Sequence, residues 1–176
     1  MNSHVLRPVI VALCFASAVI IIVGSLLPWV SVYTSFVWRT TYDGTRNAFE
    51  LHSLTSDWRY AATGWLLLVS AALMSVAGGF EVSRATSRFG CRVSLVCAAT
   101  GSLTALGVVA MSGTSNRSID IVQFIGGGVG VTAGPGRPLT LAGACIGIVA
   151  CLVISFFGFR QETQPTVSEV ELMHGS

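Results

Sequence analysis

Four stretches of this chain contain no Asp, Glu, Lys or Arg at all: residues 8–38, 60–80, 93–116 and 138–159. Each is long enough to cross a bilayer as a helix, because about 20 residues rising about 1.5 Å apiece span a hydrocarbon core roughly 30 Å thick. One such stretch alone could be a core helix of a water-soluble protein. Four of them in 176 residues, of which 10% are charged and 52% hydrophobic, leave too little polar surface to keep a globule in solution. The fold class this imposes is an all-α membrane protein, a bundle of four transmembrane helices with spans at about residues 8–29, 60–80, 91–111 and 139–159.

An even number of spans puts both termini on one side. Arg84, Arg88 and Arg92 are packed into a short link between the second and third spans, whereas the arginines of the other side are spread through two longer loops. Dense basic charge beside membrane ends favours the cytoplasm, so a multi-pass protein of the cell membrane with cytoplasmic N- and C-termini is expected. The spans and their connections then form a transmembrane domain over residues 1–159, with exterior loops at 30–59 and 112–138. Residues 160–176 are polar, without the apolar periodicity needed to offset the entropy of ordering them, and read as a disordered cytoplasmic tail.

Both exterior loops have strand character. From Val30 to Trp38 the side chains alternate ahead of an Asp43-Gly44 turn signal, which suggests a β-hairpin. In the second loop, Ile119 to Val122 reads as a strand, and Gly126 to Gly130 leads through Gly134-Pro135-Gly136 into the last span. An exterior strand and turn over residues 121–136 is preferred to a re-entrant element, and the two loops together are expected to make a small strand-containing cap. Pro28 closes the first span, with Trp29 as an interfacial anchor, and Ser56 or Asp57 is placed to cap the second.

In lipid, helices associate through close packing of small residues. Ala71, Ser75 and Gly79 on the second span, Gly101 and Ala105 on the third, and Gly143 and Gly147 on the fourth have the spacing for this. The five cysteines, Cys14, Cys91, Cys97, Cys145 and Cys151, lie in or beside the spans and read as small hydrophobes. No Cys-x-x-Cys pair suggests zinc or thiol redox chemistry.

The search for chemistry yields no catalytic residue, cofactor site or metal site. No ionisable residue interrupts a span, which argues against a coupled ion or proton pump. Ala133 completes a dinucleotide-like glycine spacing with Gly128 and Gly130, but no Lys-Ser/Thr pair follows, no acidic residue lies about 20 positions on, and the next helix is a membrane span. All ten basic residues are arginine, and a net charge of +2 with scattered carriers excludes a nucleic-acid surface.

A first span ending in Leu27-Pro28-Trp29-Val30, a strand-like loop, a basic inner turn, and Gly134-Pro135-Gly136 opening a Gly/Ala-rich last span together resemble the small uncharacterised four-span membrane proteins of actinobacteria. That resemblance covers nearly the whole chain and implies a layout, not an activity. The layout is also similar to that of claudin-like tetraspan proteins, but the tryptophan and paired cysteines of their first loop have no counterpart here.

The expectation is a non-enzymatic accessory or structural subunit of an envelope membrane complex. Besides the lipid bilayer, its partner would be another membrane or envelope protein, or further copies of itself. The aromatic residues Trp38, Tyr42, Phe49, Trp58 and Phe124 are the type that anchors interfaces and are the expected contacts. Two alternatives stand beside this. One is a lipid or small-molecule transport component with a groove between the spans, lined by such residues as Ser70, Ser94 and Ser102. The other is a membrane-surface hydrolase in which Asp43, Glu50, His52 and Asp57 converge.

Overall fold

The computed structural model describes residues 3–36, 39–51, 62–83, 88–114 and 127–162. Four helices dominate it: α1 (Ser3–Leu26), α2 (Thr63–Val82), α3 (Arg88–Thr114) and α4 (Gly136–Glu162). All four are long and apolar enough to cross a membrane, over Arg7–Leu26, Thr63–Val82, Gly90–Ser112 and Gly136–Phe156. At about 1.5 Å per residue, the 20 residues of α2 reach about 30 Å, the thickness of the hydrocarbon layer. The helix of α4 runs on through Glu162, past the point where the tail was expected to begin.

Each helix packs on its sequence neighbours, and α1 packs on α4 to close the ring. The contacts are made by small residues. A Cβ built on Gly143 would lie 2.9 Å from Ile21 Cγ1, and one on Gly78 would lie 3.1 Å from the Phe15 ring. On the α2–α3 seam, a Cβ on Gly101 would come within 2.9 Å of the Ser70 carbonyl oxygen. Small hydroxyls tie the same seams: Ser17 Oγ donates to the Gly143 carbonyl (2.7 Å), Ser70 Oγ to that of Gly101 (2.5 Å) and Ser94 Oγ to that of Ala77 (3.2 Å). In a bilayer such bonds and close contacts replace the hydrophobic drive, which is lost when the surroundings are as apolar as the core.

A small sheet is built from the two segments that connect α1 to α2 and α3 to α4. Its strands are β1 (Val30–Phe36), β2 (Arg39–Arg46) and β3 (Gly127–Ala133), in the order β2-β1-β3 and antiparallel throughout. The alternation read from Val30 onward is β1. Asp43-Gly44 does not turn the hairpin. It lies inside β2, where Val32 pairs with Gly44 and Tyr33 with Tyr42, so that Asp43 is the extra residue of a bulge and Gly44 takes a φ of 113°. A left-handed glycine serves a turn or a bulge equally well, which is why the dipeptide alone misplaces the turn. The glycine run from 127 onward is a strand, because β1 offers it a complete ladder of partners; the neighbouring expectation of a strand at Ile119 to Val122 lies outside the described residues, as do Ser56 and Asp57.

Candidate functional site

The structure's most constrained point is where the sheet leaves the bundle. A helix leaves its last four carbonyls without intrahelical donors. At the end of α1 three of these find named partners: Val23 accepts from the Leu27 N–H (3.0 Å), Gly24 from the Trp29 indole N–H (2.8 Å) and Ser25 from the Ala48 N–H (3.1 Å). Trp29 is therefore not an interfacial anchor. It is 1% exposed, folded back beneath the helix it follows, and its ring has room because Gly136 carries no Cβ; one built there would sit 2.6 Å from Trp29 Cδ1. An indole has one N–H to satisfy, and a buried helix end supplies the acceptor.

The same point joins the two motifs that stood out in the sequence. The Gly134 N–H donates to the Trp29 carbonyl (2.8 Å) and the Gly136 N–H to the Pro28 carbonyl (2.9 Å), while the Trp29 N–H donates to the Arg46 carbonyl (2.8 Å). Leu-Pro-Trp and Gly-Pro-Gly thus form a clamp, in which backbone meets backbone. A Cβ on Gly134 would collide with the Pro28 carbonyl oxygen, so this glycine is required for room. The N-terminal turn of α4 also reaches α3. Arg137 Nη2 donates to the Val109 carbonyl at 3.3 Å, and Ser112 Oγ donates to the same oxygen at 2.8 Å, so a cation sits at the negative end of the α3 dipole.

Above the clamp, the register gives the sheet two unlike faces. Val30, Val32, Thr34 and Phe36 share one with Ala133, Val131, Val129 and Gly127 of β3 and with Arg46, Gly44, Thr41 and Arg39 of β2. Ser31, Tyr33 and Ser35 share the other with Thr132, Gly130 and Gly128, and with Thr45, Tyr42 and Thr40 of β2. Val32, on the first of these faces, is buried. The two edges differ as well. β2 carries Arg39, Asp43 and Arg46 and is bulged, and these features discourage a further strand. β3 has the sequence GGVGVTA, with no charge and no proline.

Past β2 the chain makes a capped turn. Asn47 Oδ1 accepts from the N–H groups of Phe49 (3.0 Å) and Glu50 (3.1 Å), and the Asn47 N–H donates to Glu50 Oε2 at 3.3 Å. This reciprocal arrangement is a capping box, and Asn-x-x-Glu at 47–50 was its sequence signal, not recognised as such above. The turn buries Ala48 and Leu51 and sets Phe49 against the start of α2, where Gly64 leaves space for the ring. Phe49 is half-buried, with its ring 6.0 Å from that of Trp65 in an edge-to-face arrangement.

Of the expected contact residues, Phe49 is held in this turn and Tyr42 pairs with Tyr33 in the ladder; Trp38, Trp58 and Phe124 lie outside the described residues. Ala71 and Ala105 are buried in the bundle. Ser75 bonds its own helix at Ala71, and Gly79 faces open space. Gly24, Gly64, Gly78, Gly134 and Gly136 are close contacts that small-residue spacing did not point to: Gly24 meets the first turn of α4 at Thr140, Gly64 and Gly78 meet the rings of Phe49 and Phe15, and Gly134 and Gly136 meet the backbone at Pro28.

The bundle axis is filled where all four helices meet: a Cβ on Gly147 would collide with Ser102 Oγ and lie 3.0 Å from Ser17 Oγ and 3.1 Å from Met74 Cε. Among the described residues, every buried side-chain nitrogen and oxygen has a partner, and no group of three His, Cys, Asp or Glu could hold a metal ion. All five cysteines are free. Of the four residues of the hydrolase alternative, Glu50 is committed to the capped turn, Asp43 is the bulged residue of β2, and His52 and Asp57 lie outside the described residues. The chain matches no protein-family model and no curated protein sequence.

Proposed function

We propose that this chain is a non-enzymatic accessory subunit of the cell membrane, with cytoplasmic termini, whose sheet stands outside the bilayer and docks another envelope protein. One observation carries the reading. Two loops that are distant in sequence are assembled into one sheet, and that sheet ends in an uncharged strand at one edge. A strand edge presents a row of backbone donors and acceptors, and most proteins blunt such rows with charge, proline or a bulge. β2 is blunted in this way and, among the described residues, β3 is not, so β3 is where a partner's extended segment would add.

Packing supports the same choice over transport, since the axis at Gly147 is occupied by side chains from the other three helices and the small hydroxyls are spent on backbone carbonyls. The test is purification of the tagged protein from its native membrane in mild detergent. Wild type should retain a stoichiometric partner. Gly128→Lys, which puts a cation on the β3 edge, and a combined Trp38→Ala, Phe49→Ala, Trp58→Ala variant should insert normally and lose it. No partner in any sample, or a partner kept by every variant, would defeat the reading.

A further inference from the structure

At the sheet end of α2, exposed Trp65 and half-buried Phe49 pair at the boundary between an apolar surface and a polar one. We propose that Trp65, braced by Phe49, is a lipid headgroup anchor that sets the depth of the protein, so that the sheet begins at the level of the phospholipid ester groups. The inference rests on the reading of α2 as a membrane span.

Trp65 is the third residue of α2 and is 67% exposed. Below it, Leu66, Val69, Ala72, Val76 and Phe80 are also exposed, at the spacing of a single outward stripe that continues along the helix. Leu66 and Phe80 are fourteen positions apart, roughly 21 Å of helix, so the stripe covers most of a hydrocarbon layer. Trp65 closes it at the end of α2 that meets Phe49, whose turn carries the polar Asn47 and Glu50.

Helical side chains lean toward the helix N-terminus, which carries an indole at this position beyond the stripe and toward the sheet. The ring is not loose, because Phe49 meets it edge-on and is itself fixed by the Asn47–Glu50 capping box and seated against Gly64. The indole N–H of Trp65 has no acceptor among the described residues, in contrast to that of Trp29, which bonds Gly24. An apolar ring continuous with a lipid-facing stripe, carrying one unspent donor at its polar margin, suits the ester carbonyls and phosphates of the headgroup region. A protein partner would have to cover the ring without covering the stripe below it.

The protein is reconstituted into phosphatidylcholine vesicles carrying a nitroxide either near the top of the acyl chain or near its end. The Trp65 component is the difference in fluorescence between wild type and Trp65→Phe, a change that preserves an apolar ring and leaves the bundle contacts untouched. That component should be lost with the shallow label and retained with the deep one. Stronger loss with the deep label would overturn the proposal, as would no loss with either, which would mean that protein covers the ring. Flotation and alkaline extraction of the same vesicles separate these outcomes from failure of the spanning reading itself, in which the protein would not be retained by the bilayer at all.

Discussion

Replacing Gly134 with alanine adds one methyl group at the clamp, and the structure says what that methyl meets. Its Cβ would collide with the Pro28 carbonyl oxygen and lie 2.7 Å from the Pro28 carbonyl carbon and 3.1 Å from that of Trp29. All three are backbone atoms, so no side-chain rotation relieves the contact. Reaching ordinary van der Waals distance requires one segment to move by about 1 Å. Overpacking of this kind costs about 1–3 kcal/mol. The movement also stretches the Gly134 N–H bond to the Trp29 carbonyl and the Gly136 N–H bond to the Pro28 carbonyl, each contributing about 1 kcal/mol. Together the loss is about 3–5 kcal/mol, which for a chain of this size lowers the melting temperature by roughly 10 °C.

Gly79→Ala is the matched control. Nothing lies within 4 Å of its Cβ position, and alanine is favoured over glycine inside a helix by about 1 kcal/mol, so this variant should melt at or slightly above wild type. Thermal unfolding of both variants in the same detergent, followed by intrinsic tryptophan fluorescence, makes the comparison, with buried Trp29 as a reporter at the clamp. If Gly134→Ala melts within a degree or two of Gly79→Ala, the clamp does not hold the sheet to the bundle and the argument from close approach is wrong.

Trp29→Phe keeps the ring but leaves the Gly24 carbonyl without its donor, and should cost about 1–3 kcal/mol in the same melt. Ser17→Ala and Ser70→Ala, which act on opposite seams of the bundle, should each cost only about 0.6 kcal/mol and should add when combined; a markedly larger loss would place more weight on interhelical hydroxyls than a membrane interior normally gives them. Asn47→Ala should remove the capping box at about 1 kcal/mol, detected as faster proteolysis between β2 and α2 with the span count unchanged. Gly147→Leu should prevent closure of the ring, because the added side chain points at Ser102, Ser17 and Met74 together, and should appear as loss of the monodisperse peak on size exclusion.

The spans were legible because bilayer thickness acts on composition directly. A helix that must cross hydrocarbon has to exclude charge for about 20 residues, and no distant partner is needed to see that. The strand at Val30 was legible for a similar reason, since alternation is a local property of the chain. What Gly44 does was not, because a left-handed glycine is common to turns and bulges, and only the partner strand decides between them.

Trp29 shows the same limit from the other side. A tryptophan at the end of a span ordinarily marks the membrane interface, and its local sequence gives no warning that the indole will fold under α1 to reach Gly24. That outcome depends on Gly136, more than a hundred positions away, whose missing Cβ makes the space. The Leu-Pro-Trp and Gly-Pro-Gly motifs were visible as unusual tripeptides, but their mutual fit exists only once α1 and α4 lie side by side. Hydropathy, charge and alternation are carried by each segment alone and so could be read from the sequence, whereas close approach, edge exposure and the partners of buried carbonyls belong to pairs of segments and were decided by the tertiary structure.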